Sequence, residues 1–208
     1  IYGNTTPEFM QSRNLTHYPV GDIGPMYGFQ WRFFNAPYNT CQDNYSGFGI
    51  DQLQTVIDNL KNPETRTSRR HVVSAWNPQQ TEQGVLPPCH VLFQFFVTNG
   101  NKLSCALYQR SADTFLGLPF NICSYSALTF LIAKHCDLIP HEFIHYGGDV
   151  HIYDDHIEAI KEQLSRTPFK FPTFDILNKK NNINDYTIDD FKLNNYECHP
   201  GIKANMRA

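Results

Sequence analysis

The first clear periodicity in the chain lies at Ile50, Leu53, Ile57 and Leu60, apolar positions three or four residues apart. That spacing lays four side chains on one face and predicts a helix of about three turns. Asn62-Pro63 should close it, because the residue before a proline is pushed out of the α region. Before it, residues 1 to 49 carry Gly and Pro at intervals too short for long helices, with aromatics scattered between. That predicts irregular structure and short strands. After it the period changes. His71 to Trp76 is short and β-branched between polar flanks and reads as a strand. His90 to Thr98 is apolar on both alternating faces, and a further strand is predicted from Leu103 to Gln109, both buried. Helical spacing returns at Ile122, Tyr125, Leu128 and Ile132, and again at Ile157, Ile160 and Leu164, with a strand through His151-Ile152-Tyr153 between them. Asn178 to Tyr186 is polar and Asn/Lys-rich, an expected exposed connection. No internal repeat is present, and strands mixed with helices out of strict alternation predict an α+β fold.

Composition narrows the function. The 208 residues fit one domain, with 41% hydrophobic and 14% aromatic residues to fill its core, which excludes a disordered or fibrous chain. A net charge of -3 gives no basic excess, so nucleic acid is not the expected partner, and any anion must be met by local Arg clusters. Six Cys without a repeating C-x-x-C, and no apolar stretch after a basic start, predict free thiols in a reducing, cytoplasmic setting. The N-x-S/T matches at Asn4, Asn14 and Asn44 read as chance in an Asn-rich chain. No stretch is long and apolar enough to span a membrane. The opening Ile1-Tyr2-Gly3-Asn4 lacks an initiator Met and reads as the inside of a longer chain.

Several residues can do chemistry. Cys89 stands in Leu86-Pro87-Pro88-Cys89-His90 at the entry to a buried strand, where two prolines stiffen the approach. A lone Cys is more often structural than catalytic. His90, adjacent on a strand, points to the opposite face and is badly placed as a base for the thiol. If the next strand neighbours this one, Arg110 can lie beside Cys89, and a guanidinium there favours a thiolate. Arg110 and Ser111 also offer donors suited to a phosphate. As isolated features, this pair and the Arg69-Arg70 doublet read as solvated charge. His151 and Tyr153, two apart on a strand, face one side and can serve one ligand hydroxyl. The His- and Asp-rich run from Asp149 to His156 raises a metal-dependent hydrolase, but its spacing fits no metal template, and no metal is expected.

These pieces assemble in order. Asp22-Ile23-Gly24-Pro25-Met26-Tyr27-Gly28-Phe29-Gln30-Trp31-Arg32, Ala75-Trp76-Asn77-Pro78, Leu86-Pro87-Pro88-Cys89-His90, Tyr108-Gln109-Arg110-Ser111, Leu116-Gly117-Leu118-Pro119-Phe120-Asn121-Ile122, Gly148-Asp149-Val150-His151-Ile152-Tyr153 and the closing Ile202-Lys203 resemble the successive motifs of the thymidylate synthase family over nearly the whole chain. The resemblance implies a mixed β-sheet with flanking helices, the sheet at a homodimer interface. It implies that deoxyuridine monophosphate is methylated with methylenetetrahydrofolate as carbon and hydride donor, without a metal. Cys89 would be the nucleophile at pyrimidine C6, and Asn121 would pair with the uracil edge. Arg110 and Ser111 would hold the phosphate, with Arg69 and Arg70 reaching the other subunit's site. His151 and Tyr153 would meet the sugar hydroxyl, Gln109 would join the nucleotide contacts, and Asp113 would meet the pterin. Tyr27 and His90 would support the chemistry beside Cys89, Asn121 and Asp113. Gly117, Trp76, Asn77, Asn4 and Arg207 would line the folate side.

The departures carry expectations of their own. The family's N-terminal region, with a phosphate-binding Arg and a Glu that organises proton transfer, is missing from these residues, which alone should not turn over. A family Trp is replaced by Ile1 and Tyr2. Met206-Arg207-Ala208 stands where the family ends Met-Ala-Val, so closure over the folate should be altered. An insertion near Thr65 to Ser68 lengthens the loop before the Arg doublet. The resemblance also admits a dihydrofolate reductase domain ahead of this one in a bifunctional parent. Two other readings stay open: a hydroxymethylase in which water completes the reaction, with Asn121 favouring uracil over cytosine, and an inactive nucleotide-binding homologue.

Overall fold

A computed structural model describes residues 6–12, 19 and 21–206. Asn4 and Arg207, expected at the folate side, lie outside the described residues, as do Ile1, Tyr2 and Asn14. The chain forms α1 (Pro7–Ser12), α2 (Tyr27–Phe33), α3 (Gln52–Lys61), β1 (Val72–Ser74), β2 (His90–Thr98), β3 (Lys102–Asp113), α4 (Gly117–His135), β4 (Ile139–His151), α5 (Ile157–Leu164), β5 (Thr173–Ile176) and β6 (Phe191–Asn194). This is the expected α+β arrangement of a mixed sheet with flanking helices.

The sheet runs β1-β2-β3-β4. β1, β2 and β3 pair antiparallel, while β3 and β4 pair parallel, so α4 serves as the crossover that a parallel pair requires. One face of the sheet is closed by α3 and α4. Leu53, Val56, Ile57 and Leu60 from α3 meet Val73, Phe93, Phe95, Leu103, Cys105 and Leu107 from the strands, and Tyr125, Ile132 and Ala133 from α4. The other face carries Val72, Leu92, Tyr108 and Tyr146 at 39%, 36%, 43% and 59% exposure, an apolar surface that no described element covers. β5 and β6 make a separate hairpin.

Several predicted elements shift. The third helix of the chain starts at Gln52 because Asp51 caps it, accepting from the Gln54 N–H at 2.9 Å. Ile50 therefore falls outside the helix, exposed, and bridges to Phe34. Residues 1 to 49 contain two helices where irregular structure and short strands were expected. α2 is stabilised less by periodicity than by contact, with the Trp31 ring 5.0 Å from Phe93 and 6.3 Å from Tyr125. β1 is confined to three residues, and β3 runs on to Asp113. β4 is the largest correction. The predicted strand through Tyr153 ends at His151 and begins as far back as Ile139. Its Pro140, Gly147 and Gly148 are poor strand formers, and the long ladder to β3 supplies the order that its own sequence lacks. α5 forms as expected, yet none of its residues is buried. Asn178 to Tyr186 is the expected connection, with a short 3-10 turn at Ile183–Asp185. Among the described residues, no helix is long and apolar enough to cross a membrane.

Phe93 sits at the centre of this packing, 1% exposed and edge-on to Trp31, Phe95 and Tyr125. Phe93→Ala should cost about 3–5 kcal/mol in denaturant unfolding. Leu164→Ala, at a position 80% exposed, should stay within about 0.5 kcal/mol. Equal losses at the two positions would contradict this assignment of the core.

Candidate active site

Strand register gathers the chemical motifs at one end of the sheet. His90 pairs with Gln109, Gln109 with Gly147, Ser111 with Asp149 and Asp113 with His151. An extra residue at Val91 bulges β2, and the Val91 carbonyl accepts from both Ala75 and Trp76. This draws the Trp76 segment towards Cys89. Between β3 and β4 the backbones approach so closely that a Cβ on Gly148 would meet the Arg110 carbonyl at 2.9 Å.

The thiol segment is clamped from two sides. The Arg110 N–H donates to the Cys89 carbonyl at 2.8 Å, Nε donates to the Pro88 carbonyl at 3.0 Å, and Nη2 donates to the Pro87 carbonyl at 2.8 Å. Nη2 also lies 3.9 Å from Cys89 Sγ, so the expected meeting of guanidinium and thiol is present. Trp76 lies under the guanidinium, 5.7 Å from ring centroid to Cζ. From the other side the Tyr27 hydroxyl accepts from the Cys89 N–H at 2.9 Å. Burial first, and then the neighbouring Cys89, push the Tyr27 phenol above its ordinary value, so it stays protonated and keeps its O–H to donate. Half-buried Cys89 is reachable, whereas Cys105 is buried and its thiol is pushed up to about 12 by desolvation. All six cysteines are free.

Behind the thiol runs a network of amides and rings. Buried Gln109 donates through Nε2 to the Ser111 carbonyl and to Asn121 Oδ1, both at 2.9 Å. Its Oε1 faces His145 Nε2 at 3.0 Å, which fixes the orientation of the Gln109 amide. The His90 ring lies tilted 5.0 Å from Tyr27 and edge-on 5.2 Å from Tyr125, with Nδ1 3.3 Å from the Tyr125 hydroxyl. Burial lowers His90 below the usual histidine value, against the pull of a hydrogen bond with Asn121. Sequence reasoning missed His145. It sits two residues before Gly147, the partner of Gln109, and only recognition of the whole of β4 would have exposed it.

The remaining expected residues divide. Asp113 ends β3, and its Oδ1 accepts from the Phe115 and Leu116 N–H groups at 3.1 and 3.3 Å, shaping the turn into α4. Gly117 leaves open the space beside it, where a Cβ would stand 3.5 Å from Asp113 and 3.7 Å from Asn121. His151 and Tyr153 lie together, rings 5.0 Å apart, with His151 Nδ1 3.0 Å from Asp149 Oδ1. Asn77 is buried, its amide donating to Asn35 and Gln80 inside a side-chain cluster. Arg69 and Arg70 are not brought to this site. The Arg69 carbonyl is held by Gln94, roughly 17 Å along β2 from Cys89, and both guanidinium groups are exposed and without partners among the described residues. Among the described residues no group of three or more His, Cys, Asp or Glu is placed to hold a metal ion.

The arrangement offers a half-exposed thiol beside a guanidinium, a fixed amide edge that can read a planar polar ring, and a His/Tyr pair for a hydroxyl. Known proteins resemble the chain over nearly its whole length. The family model described as thymidylate synthase matches residues 5–208. The chain is 50% identical to a Paramecium tetraurelia bifunctional dihydrofolate reductase-thymidylate synthase, over 98% of this chain and 43% of the relative. It is 50% identical to a thymidylate synthase of varicella-zoster virus, over 99% of this chain and 67% of the relative. With a thymidylate synthase of Saccharomyces cerevisiae the identity is 48%, over 98% and 69%. The chain thus spans less than half the length of the bifunctional relative.

Three histidines, His135 buried and His90 and His145 partly so, set a pH limit on the fold. Burial lowers His90, His135 and His145 below the ordinary 6.5, so each folded imidazole resists a proton that the unfolded chain accepts. Below about 6.5 the unfolded state binds more protons, and stability falls as pH drops from there through the folded values. The denaturant midpoint should be lower at about pH 5.5 than at about pH 7.5. A midpoint that rises on acidification would contradict the neutral, buried assignment.

Proposed function

The chain belongs to the thymidylate synthase family, and from that premise we propose that the full-length protein methylates deoxyuridine monophosphate through a covalent adduct on Cys89. The observation that carries this reading is the placement of Cys89 Sγ 3.9 Å from Arg110 Nη2, at the end of the sheet where Gln109 fixes Asn121. The Cys89 thiolate adds to C6 of the pyrimidine, which makes C5 nucleophilic and moves charge onto the ring oxygen. Asn121 accepts from the ring N–H and donates to that oxygen. Its Oδ1 already accepts from Gln109 but retains a second lone pair, so both demands can be met. Tyr27 and neutral His90 line the same wall and complete its hydrogen bonding. Arg110 and Ser111 face the phosphate, and His151 with Tyr153 the sugar hydroxyl. When bound, methylenetetrahydrofolate supplies the one-carbon unit and a hydride. Asp113 takes the pterin, with Gly117 leaving room beside it. Trp76 backs Arg110, and Asn77 supports the segment that carries Trp76.

The homodimer belongs to the same proposal. The uncovered apolar sheet face and the unpartnered Arg69 and Arg70, remote from their own chain's Cys89, fit a two-fold pairing in which each doublet serves the other subunit's phosphate. Six free thiols fit a reducing compartment such as the cytoplasm.

The base preference tests the reading. Cytosine presents an unprotonated ring nitrogen and an amino group, so with Asn121 held by Gln109 the wrong base leaves buried polar groups unpaired, at a cost of about 1–3 kcal/mol. In the full-length protein, Asn121→Asp should therefore lower the ratio of kcat/KM for deoxyuridine over deoxycytidine monophosphate by about tenfold or more. An unchanged ratio in an active mutant would show that Asn121 does not read the base.

A further inference from the structure

We propose that His156 is a positioning residue that holds the C-terminal segment beside Asp113 and so sets the affinity of the folate side of the site. The proposal rests on the function argued above, and it starts from a side chain which that function leaves unused. His156 is 0% exposed, yet its Nδ1 has no hydrogen-bond partner. The ring is wedged between Phe115 and Tyr153, with centroids at 5.5 and 5.4 Å. Nε2 lies 2.8 Å from the Asn205 carbonyl, which can only accept, so Nε2 carries the proton that it donates there. Nδ1 lies 3.8 Å from Asp113 Oδ1, beyond hydrogen-bond range, and Asp155 Oδ1 stands 4.0 Å from Nε2. One imidazole thus touches the far end of the chain on one side and the carboxylate assigned to the pterin on the other.

The segment it holds has little else to fix it. Residues 196–206 form no helix or strand. Among the described residues three side-chain hydrogen bonds hold them: His199 to the Thr167 carbonyl at 2.8 Å, Arg166 to the Pro200 carbonyl at 2.6 Å, and His156 to the Asn205 carbonyl. The first two bonds are exposed and compete with water. The third comes from a fully buried ring, where losing the acceptor strands an N–H without solvent. The same segment walls a cavity of about 560 Å³ whose opposite side is the turn after Asp113, with Tyr196, Pro200 and Ile202 facing Phe115, Leu116 and Phe120. A displacement of Asn205 would therefore alter both the cavity wall and the surroundings of Asp113.

The test uses the full-length protein with deoxyuridine monophosphate and methylenetetrahydrofolate. His156→Phe keeps an aromatic ring between Phe115 and Tyr153 but removes both nitrogens. His156→Gln keeps an amide N–H long enough to reach Asn205, and His156→Asn has one too short to do so. The Phe and Asn variants should raise KM for the folate about tenfold and speed amide exchange at residues 203–206 by a similar factor, with KM for the nucleotide within about twofold. His156→Gln should recover most of both. Should the Phe variant fail to fold, the Asn and Gln pair decides. Wild-type folate KM and exchange in the Phe or Asn variant would overturn the proposal, as would equal rises in both KM values that Gln does not rescue. If the wild-type protein makes no thymidylate, the functional reading fails by itself, and the exchange at residues 203–206 still decides whether His156 holds the segment.

Discussion

The site depends on one side chain above all, the guanidinium of Arg110. Pro87 and Pro88 have no N–H to give to a strand ladder, so the chain entering β2 cannot be held by ordinary sheet bonding. Arg110 supplies the missing order by donating to both proline carbonyls, while its own N–H takes the Cys89 carbonyl. The same group ends 3.9 Å from the sulfur. A planar fork can meet several acceptors at once, and a lysine in this place could not. The antiparallel register of β2 and β3 is what makes the meeting possible, because it sets His90 against Gln109 and so brings Cys89 to Arg110.

A second layer converts that clamp into a site with direction. His145 settles which way the Gln109 amide points, and Gln109 settles Asn121. Each polar group is oriented by the one behind it, so a ligand edge meets a fixed pattern of donors and acceptors instead of a set of rotors. Asp113 has a comparable double task. Its Oδ1 shapes the turn into α4, and the buried His156 ring lies against it from behind.

How much of this was legible in the sequence follows from what each element depends on. β2 matches its expected limits, His90–Thr98, but not the expected burial: only Phe93 and Phe95 are buried, and Leu92 lies on the uncovered face. The Cys89–Arg110 pairing was legible as a consequence of two neighbouring strands. α2 was not, since seven residues after a Gly-Pro turn carry too short a period and are held by Trp31 packing on Phe93. β4 was hidden by Pro140, its glycines and its exposed edge, and with it went His145, whose role requires the parallel register to β3. His156 was noticed only as one member of an acidic and histidine-rich run. Its partner Asn205 and its neighbour Asp113 lie far along the chain in opposite directions. The motif order carried the family and the candidate roles, including a role for Arg69 and Arg70 in another subunit's site, and the doublet indeed sits away from its own chain's thiol.

The most direct test of the account is to map where a mechanism-based label attaches. The full-length protein would be incubated with a 5-fluorinated deoxyuridine monophosphate and methylenetetrahydrofolate, digested, and the labelled peptide sequenced by mass spectrometry. The account predicts one stoichiometric adduct on Cys89, lost in Cys89→Ser while nucleotide binding persists. An adduct on Cys105 or Cys123, or full turnover by Cys89→Ser, would contradict it.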